Sequence, residues 1–416
     1  MDKRSSFTIS IRLFYYFYNV HIKLHGTNMA YRYLIIGSGF SGCVLANCLV
    51  NKMDCKVDIW DERGHMGGNC HTSRDEKTGI MVHRYGPHIF NTDKKEIWEY
   101  VNSFGEFKPY VHRVKALSNG KVYSLPVNLF TINQFFNKNF NPQEAKEFLE
   151  TQADTSITDA KNFEEQALKF IGKDLYKAFF YGYTKKQWGC EPTELPASII
   201  KRIPVRFNYD DNYHNNTYTG IPVDGYTAIM QKMTDHPGIK ISLNKKFDPA
   251  DDVTQYDHVF YTGPLDAYFN YSEGRLGYRT VTFEQHYAEG DHQGVSQMNY
   301  CDEEVPYTRV AEHKHFTPWE KHEKTVYFKE FSKETGKDDL PYYPKRLAED
   351  KIILEKYRKQ AGSLKGISFL GRLATYRYMD MHHVIGEAMQ FAGNFMETVN
   401  NRSEPPVFSN EENFTL

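Results

Sequence analysis

The chain has 416 residues, more than one hydrophobic core usually serves, so two or three domains are expected. Lys and Arg number 51 against 53 Asp and Glu, and the formal charge of −2 gives no electrostatic case for nucleic acid or an anionic membrane. No stretch approaches the roughly 20 apolar residues needed to span a bilayer. The six cysteines (Cys43, Cys48, Cys55, Cys70, Cys190 and Cys301) form no CxxC pair, so neither disulfides nor zinc are expected and a cytoplasmic location is.

Residues 1–28 read as an extension outside the fold, poorly ordered, with Met29-Ala30 leading directly into the first strand. The apolar run Leu34-Ile35-Ile36 precedes Gly37-Ser38-Gly39-Phe40-Ser41-Gly42, and helical periodicity follows through Val44, Leu45, Leu49 and Val50. Strand, glycine-rich turn and helix N-terminus together place backbone N–H groups and a helix dipole under a pyrophosphate. A second strand, Lys56 to Trp60, ends in Asp61, nineteen residues after Gly42, where a carboxylate can accept hydrogen bonds from an adenosine ribose. The pair Gly67 and Gly68 follows after five residues. This pattern predicts a bound dinucleotide, and an acidic rather than basic residue at 61 argues for an unphosphorylated ribose.

Further along, Asn119-Gly120 between Val114–Leu117 and Val122–Leu125 predicts a hairpin, because both turn residues tolerate positive φ. Phe148, Phe163, Ala167, Leu168 and Ile171 recur at helical spacing up to a stop at Gly172, and helix resumes over Leu175–Tyr181. Pro196 and Pro204 bound a loop with a short helix at Ser198–Arg202. A helix over Thr227–Met233 leads to strands near Ile239–Leu243 and His258–Thr262. Residues 275–331, rich in Tyr, Thr and Val, alternate as an antiparallel sheet would. The last strand, Ile367–Leu370, is followed by a helix from about His382. The predicted fold is α/β: a discontinuous Rossmann-like dinucleotide-binding domain (29–105, 221–260 and 340–400) with a helical insert (127–200) and an antiparallel sheet domain (106–126, 201–220 and 261–339), then a tail, 401–416.

With 30 Tyr and 15% aromatic residues, several rings can be spared from the core for a ligand. Tyr181, Tyr183, Thr184 and Trp188 are candidates for stacking on a base or sugar. Arg202, Arg206 and Arg309 are candidates for a diphosphate, since guanidinium groups bind phosphate oxygens bidentately. His313 with His315, and the pair His382-His383, lack the second ligand cluster that a metal requires. No Ser-His-Asp order, P-loop or evident general base emerges, as suits an enzyme whose cofactor does the covalent work.

Five longer motifs carry a family resemblance: Tyr85–Phe90, Gly182–Gly189, Lys201–Phe207, Val305–Arg309 and Gly371–His382. From about Met29 to about residue 400 the chain resembles bacterial UDP-galactopyranose mutases. The resemblance implies FAD, active when reduced, and interconversion of UDP-galactopyranose with UDP-galactofuranose for cell-surface polysaccharide. It further implies nucleophilic catalysis by the flavin N5 at the anomeric carbon, and a homodimer. By motif, Gly37, Gly39, Phe40, Ser41, Gly42, Asp61, Gly68, Asn69, His88, Ile89, Arg372, Met379, Asp380, Met381 and Val384 would line the flavin dinucleotide. Arg202 and Arg309 would hold the diphosphate as the catalytic pair. Phe179, Tyr183, Thr184 and Trp188 would surround the uridine, with Tyr213, Asn299, Tyr343, Tyr378 and His112 toward diphosphate and sugar. Asn91 and His112 depart from the family pattern, which has His and Asn there. A flavin oxidase of the amine-oxidase type and a nucleotide-sugar binding protein without turnover are the alternatives.

Overall fold

The computed structural model describes residues 30–202 and 205–410, the side chains at 198, 201 and 202 excepted. In chain order the strands are β1 (Tyr31–Ile36), β2 (Cys55–Trp60), β3 (Thr72–Arg74), β4 (Met81–His83), β5 (Phe90–Thr92), β6 (Phe107–Pro109), β7 (Val114–Ser118), β8 (Lys121–Leu125), β9 (Tyr218–Pro222) and β10 (Ile239–Ser242). They continue as β11 (His258–Tyr261), β12 (Tyr278–Glu289), β13 (Gln297–Tyr300), β14 (Arg309–Glu312), β15 (Lys324–Glu334), β16 (Tyr343–Pro344) and β17 (Ile367–Phe369). The helices used below are α1 (Phe40–Lys52), α2 (Lys95–Asn102), α3 (Leu129–Phe136), α4 (Pro142–Gln152), α5 (Phe163–Leu175), α6 (Gly182–Trp188), α7 (Gly225–Met233) and, past residue 380, α8 (Met381–Asn400).

The chain divides into two compact units. The first runs up to Gly68, over Ala228–Leu276, and from Lys351 onward. Its sheet is wholly parallel in the order β10-β2-β1-β11-β17. The first strand in sequence is central and later segments add on either side, which is why this unit is assembled from three stretches of chain. Tyr33, Leu34 and Ile35 of β1 are almost completely buried, as strands covered on both faces must be. α1 packs along α8, and Phe395 of α8 meets Tyr33 and Phe260 edge-on at 5.3 and 4.8 Å.

The second unit comprises Asn69–Thr227 and Gly277–Asp350. Its main sheet runs β16-β12-β15-β14-β13-β7-β8. The predicted hairpin is present, with Asn119 and Gly120 at φ 49° and 71° joining β7 to β8. One pairing departs from the antiparallel expectation: β13 runs parallel to β7, since the chain leaves β8 through the helical segment and returns to the far edge of β7. The helices α3 to α6 share a core with β7 and β8, and Gly172, at φ +74°, interrupts α5 where a helix stop is predicted. Tyr176–Tyr181 is a π-helical turn rather than plain α-helix.

Residues 69–105, which the sequence groups with the dinucleotide-binding stretch, fall in this second unit. The reason is hydrogen bonding: β3 pairs with β4, and β5 and β6 both pair with β9, so none joins the parallel sheet. Conversely, 261–276 belongs to the first unit. The extension 1–28 lies outside the described residues.

Candidate functional site

In the first unit the glycine-rich turn sits where β1 ends and α1 begins. Gly37 has φ +107°, and a Cβ there would fall 2.2 Å from Thr262 Oγ1, so both backbone and space demand glycine. Asp61, at the end of β2 and 8% exposed, closes the turn: its Oδ2 accepts from the Ser38 N–H at 2.8 Å and the Ser38 hydroxyl at 2.6 Å, and Oδ1 accepts from the Arg63 N–H at 2.9 Å. The carboxylate therefore fixes the loop itself. Gly67 N–H donates to Ser38 O at 3.0 Å, which brings the Gly67-Gly68 pair against Gly39 with no side chain between the backbones.

The last motif returns to the same turn. Gly371 lies so close to Ser41 that a Cβ would be 2.2 Å from Ser41 Oγ. Arg372 lies over the Tyr378 ring at 4.9 Å, and the Val384 N–H donates to Asp380 O at 3.1 Å as α8 begins at Met381, just past Met379. Phe40, Ser41 and Gly42 form the buried first turn of α1, giving a helix N-terminus that leads away from the loop. A cradle stripped of Cβ atoms, a helix N-terminus and a carboxylate at the neighbouring strand end fit an extended dinucleotide. The predicted residues Asn69, His88 and Ile89 belong to the other unit. There His88 N–H donates to His83 Nδ1 at 3.3 Å, and Ile89 packs with Tyr110, Ile221, Ala311 and Phe316.

A second constellation lies on the main sheet of the second unit. Register alone places Asn299, Arg309 and Glu330 directly opposite one another across β13, β14 and β15. Arg309 Nε donates to Glu330 Oε2 at 2.6 Å. Gly86 of the Tyr85–Phe90 motif lies beside both, its Cβ position 3.6 Å from Glu330 Oε2 and 3.7 Å from Arg309 Nη2. Burial works against the Arg309 charge, but Glu330, Tyr183 and Tyr343 hold its pKa well above the ordinary value. The Tyr183 hydroxyl is raised by burial, opposed by the Arg309 charge and reinforced by Glu330 and by Tyr213 and Tyr343. Glu330 Oε1 accepts no hydrogen bond among the described residues, so one face of this ion pair is left to another donor.

His112 adjoins the row. It is 3% exposed, and burial, with the nearby His214 and Arg309 charges, pushes its pKa down to about 3, so it is neutral. Its Nδ1 has no partner among the described residues. Tyr213 packs edge-on at 5.7 Å and donates its N–H to His112 O at 2.7 Å. Asn299 Oδ1 accepts from Gln297 Nε2 at 3.0 Å. Tyr183, Tyr213 and Tyr343 thus stand within electrostatic reach of the Arg309–Glu330 pair, a set of donors whose types suit a diphosphate flanked by hydroxyl-rich groups.

The remaining predicted residues divide. Thr184 is buried on α6, and Trp188 packs against the helical core. Phe179, 3% exposed, stacks edge-on with Tyr123 at 5.0 Å inside that core. Tyr378 is in the first unit, Tyr343 on β16 in the second. Asn91 Nδ2 donates to Ile89 O at 3.1 Å. The Arg202 side chain lies outside the described residues. Arg206, a diphosphate candidate in the sequence, is buried and instead ion-paired to Asp210, with further bonds to the Asp210 and Asn212 carbonyls and Asn215. Sequence reasoning missed Glu330, Gln297, His214 and Gly86, whose proximity to Arg309 and His112 arises only from strand register and loop packing.

The histidines do gain acidic neighbours, contrary to expectation: Asp380 stands by His382 and His383, and Asp291 and Glu312 by His315. The second group is already satisfied, because Glu312 accepts three backbone N–H groups at 2.8–3.1 Å and Lys314 pairs with Asp291.

The class defined by the parallel sheet and its glycine-lined turn is a Rossmann-type dinucleotide-binding protein. Comparison with known proteins narrows it. The family model for UDP-galactopyranose mutase matches residues 178–378, and that for an NAD(P)-binding Rossmann-like domain matches 35–104. A probable UDP-galactopyranose mutase of Klebsiella pneumoniae is 54% identical over 376 residues, covering 90% of this chain and 97% of that one. A dTDP-fucopyranose mutase of Escherichia coli is 54% identical over 365 residues, covering 86% and 97%. The crystal structure of a reduced UDP-galactopyranose mutase shares the fold at TM-score 0.70 and 17% identity, over 90% and 96% of the two chains. The chain belongs to the UDP-galactopyranose mutase family.

Proposed function

We propose that the chain is a flavin-dependent mutase that interconverts UDP-galactopyranose and UDP-galactofuranose. The observation that carries this reading is the Asn299–Arg309–Glu330 row with Tyr183 and Tyr343 beside it: a guanidinium held charged within electrostatic reach of tyrosines, on a chain that also bears a dinucleotide cradle. Gly37, Gly39, Phe40, Ser41, Gly42, Asp61, Gly68, Arg372, Met379, Asp380, Met381 and Val384 would hold FAD, whose reduced N5 supplies a nucleophile for the anomeric carbon.

This chain's residues have the complementary task. Bond cleavage at the anomeric carbon sends charge onto the diphosphate, and Arg309 is aimed and kept protonated to receive it. Arg202 is the second cation proposed for that charge. Glu330 orients the guanidinium, while Phe179, Tyr183, Thr184 and Trp188 take the base side, and Tyr213, Asn299, Tyr343 and His112 the sugar and diphosphate. We further propose a cytoplasmic homodimer that supplies galactofuranose for surface polysaccharide.

A second reading is favoured by the 54% identity to a dTDP-fucopyranose mutase, which equals that to the UDP-sugar relative. Chemically reduced enzyme, incubated with UDP-galactofuranose and separately with dTDP-fucopyranose and resolved by chromatography, tests both. Conversion of the UDP-sugar without stoichiometric loss of reductant is expected. Turnover of the dTDP-sugar alone reassigns the substrate, and one equivalent of reductant per turnover supports an oxidase.

A further inference from the structure

The ammonium group of Lys186 donates to four backbone carbonyls of one loop: Tyr300 O at 2.8 Å, Asp302 O at 2.7 Å, Val305 O at 3.0 Å and Tyr307 O at 3.3 Å. Three N–H groups are shared among four acceptors, so the carbonyl dipoles of residues 300–307 converge on a single positive charge. Without a cation at that point, the four converging dipoles would repel. Burial lowers the lysine pKa, and the neighbouring acidic residues Asp302, Glu303 and Glu304 work against that loss of charge.

The position of this clamp is informative. Lys186 lies on α6, one turn after Tyr183 and two residues after Thr184. The loop it grips runs directly into Thr308 and Arg309: Tyr300 N–H donates to Thr308 O at 2.9 Å, and Thr308 N–H to Glu330 O at 2.8 Å. Helix and loop also touch at Gly182, where a Cβ would fall 2.3 Å from Cys301 O. On its other side, the helix end is bolted to β12 and β15, because Arg279 donates to the Gln187 and Lys186 carbonyls at 3.0 and 3.3 Å and Ser332 Oγ to Gln187 O at 2.6 Å.

We infer that Lys186 is a positioning residue for the nucleotide-sugar site: it sets the spacing between the base-side residues Tyr183 and Thr184 on α6 and the diphosphate-side Arg309 on β14. The inference rests on the proposed mutase reading, in which one nucleotide spans both sides. Loss of a spacer harms a ligand that must engage both ends at once and leaves single-end ligands alone, because only the former depends on effective concentration between subsites.

The test uses the full chain with Lys186→Met and Lys186→Arg, titrated with UDP, uridine and inorganic pyrophosphate, alongside kcat and KM of the reduced enzyme. Lys186→Met should weaken UDP roughly tenfold, the equivalent of one lost charge-assisted contact, with uridine and pyrophosphate affinities unchanged. Turnover at saturation should fall by up to about 10²-fold, as for a small misplacement of a reacting group. Lys186→Arg, which keeps the charge, should fall between wild type and Lys186→Met, and it carries the same comparison if the Met variant does not fold. Equal weakening of all three ligands, or UDP binding unchanged in the folded variants, would overturn the inference. A wild-type chain that binds no UDP would instead overturn the nucleotide-sugar reading beneath it.

Discussion

Arg309 cannot be judged by its own removal. Glu330 is 1% exposed, so Arg309→Ala strands a buried carboxylate and mixes a folding cost with a catalytic one. The neutral pair Arg309→Ala/Glu330→Gln separates them: turnover should fall on the order of 10²–10³, the usual loss for a donor aimed at transition-state charge, while the melting temperature stays above that of Arg309→Ala, which leaves the Glu330 charge unpaired. Arg309→Lys should recover only part of the rate, since a point charge lacks the fork that could engage Glu330 and a phosphate at once. A double variant with near-normal turnover would show that the guanidinium does not meet the diphosphate. Arg206 is its counterpart. Arg206→Ala should cost about 1–3 kcal/mol by removing the charge-assisted bonds that this buried guanidinium makes to Asn215 Oδ1 and the Asn212 carbonyl, visible as a lower melting temperature. UDP affinity of the folded protein should hold.

At the scale of elements, the turn between β1 and α1 and the cap of α4 make opposite tests. Gly37→Ala forces a Cβ into Thr262 Oγ1 at a φ of +107°, a strain of roughly 1–3 kcal/mol. It should also abolish retention of FAD, measured as flavin released per chain on denaturation; a fully loaded variant would place the dinucleotide elsewhere. By contrast, α4 starts with a complete capping box, Asn141 Oδ1 accepting from Gln143 and Glu144 N–H at 2.9 and 3.0 Å and Glu144 Oε2 from Asn141 N–H at 2.8 Å. Asn141→Ala should lower stability by about 1 kcal/mol in chemical denaturation and leave turnover unchanged. Loss of activity there would tie the helical segment to the chemistry more closely than its packing does.

For the whole molecule, acid is the relevant stress. His83, His112, His258 and His313 are buried, and burial pushes each pKa down, to about 3 for His112, His258 and His313. Folded values lie below the unfolded value of about 6.5, so the unfolded chain binds more protons in that range. Stability is therefore full above the ordinary histidine pKa and is lost as pH falls through it. In the second unit, His83 Nδ1 accepts from His88 N–H, and His313 Nδ1 from His83 N–H at 3.4 Å, so protonation would break both bonds. Melting temperature should be level between about pH 8 and 7 and drop steadily toward about pH 5; a level profile to that point would contradict the assignment.

The sequence by itself determined what depends on neighbours along the chain. The glycine turn, the Asp61 strand end, the Asn119-Gly120 hairpin and the Gly172 stop are local backbone demands, and short-range spacing records them. The family motifs likewise led to Arg309 and Tyr183, because their identity survives without knowledge of what they touch. Tertiary structure alone decided the partners. Glu330 meets Arg309 because β14 and β15 pair in one register, and a slip of one residue would turn that carboxylate to the opposite face. Residues 69–105 left the parallel sheet because β9, more than a hundred residues later, offered β5 and β6 their hydrogen bonds. Lys186 reads in sequence as one of two ordinary helix lysines, and only the convergence of four carbonyls from a distant loop makes it different from Lys185.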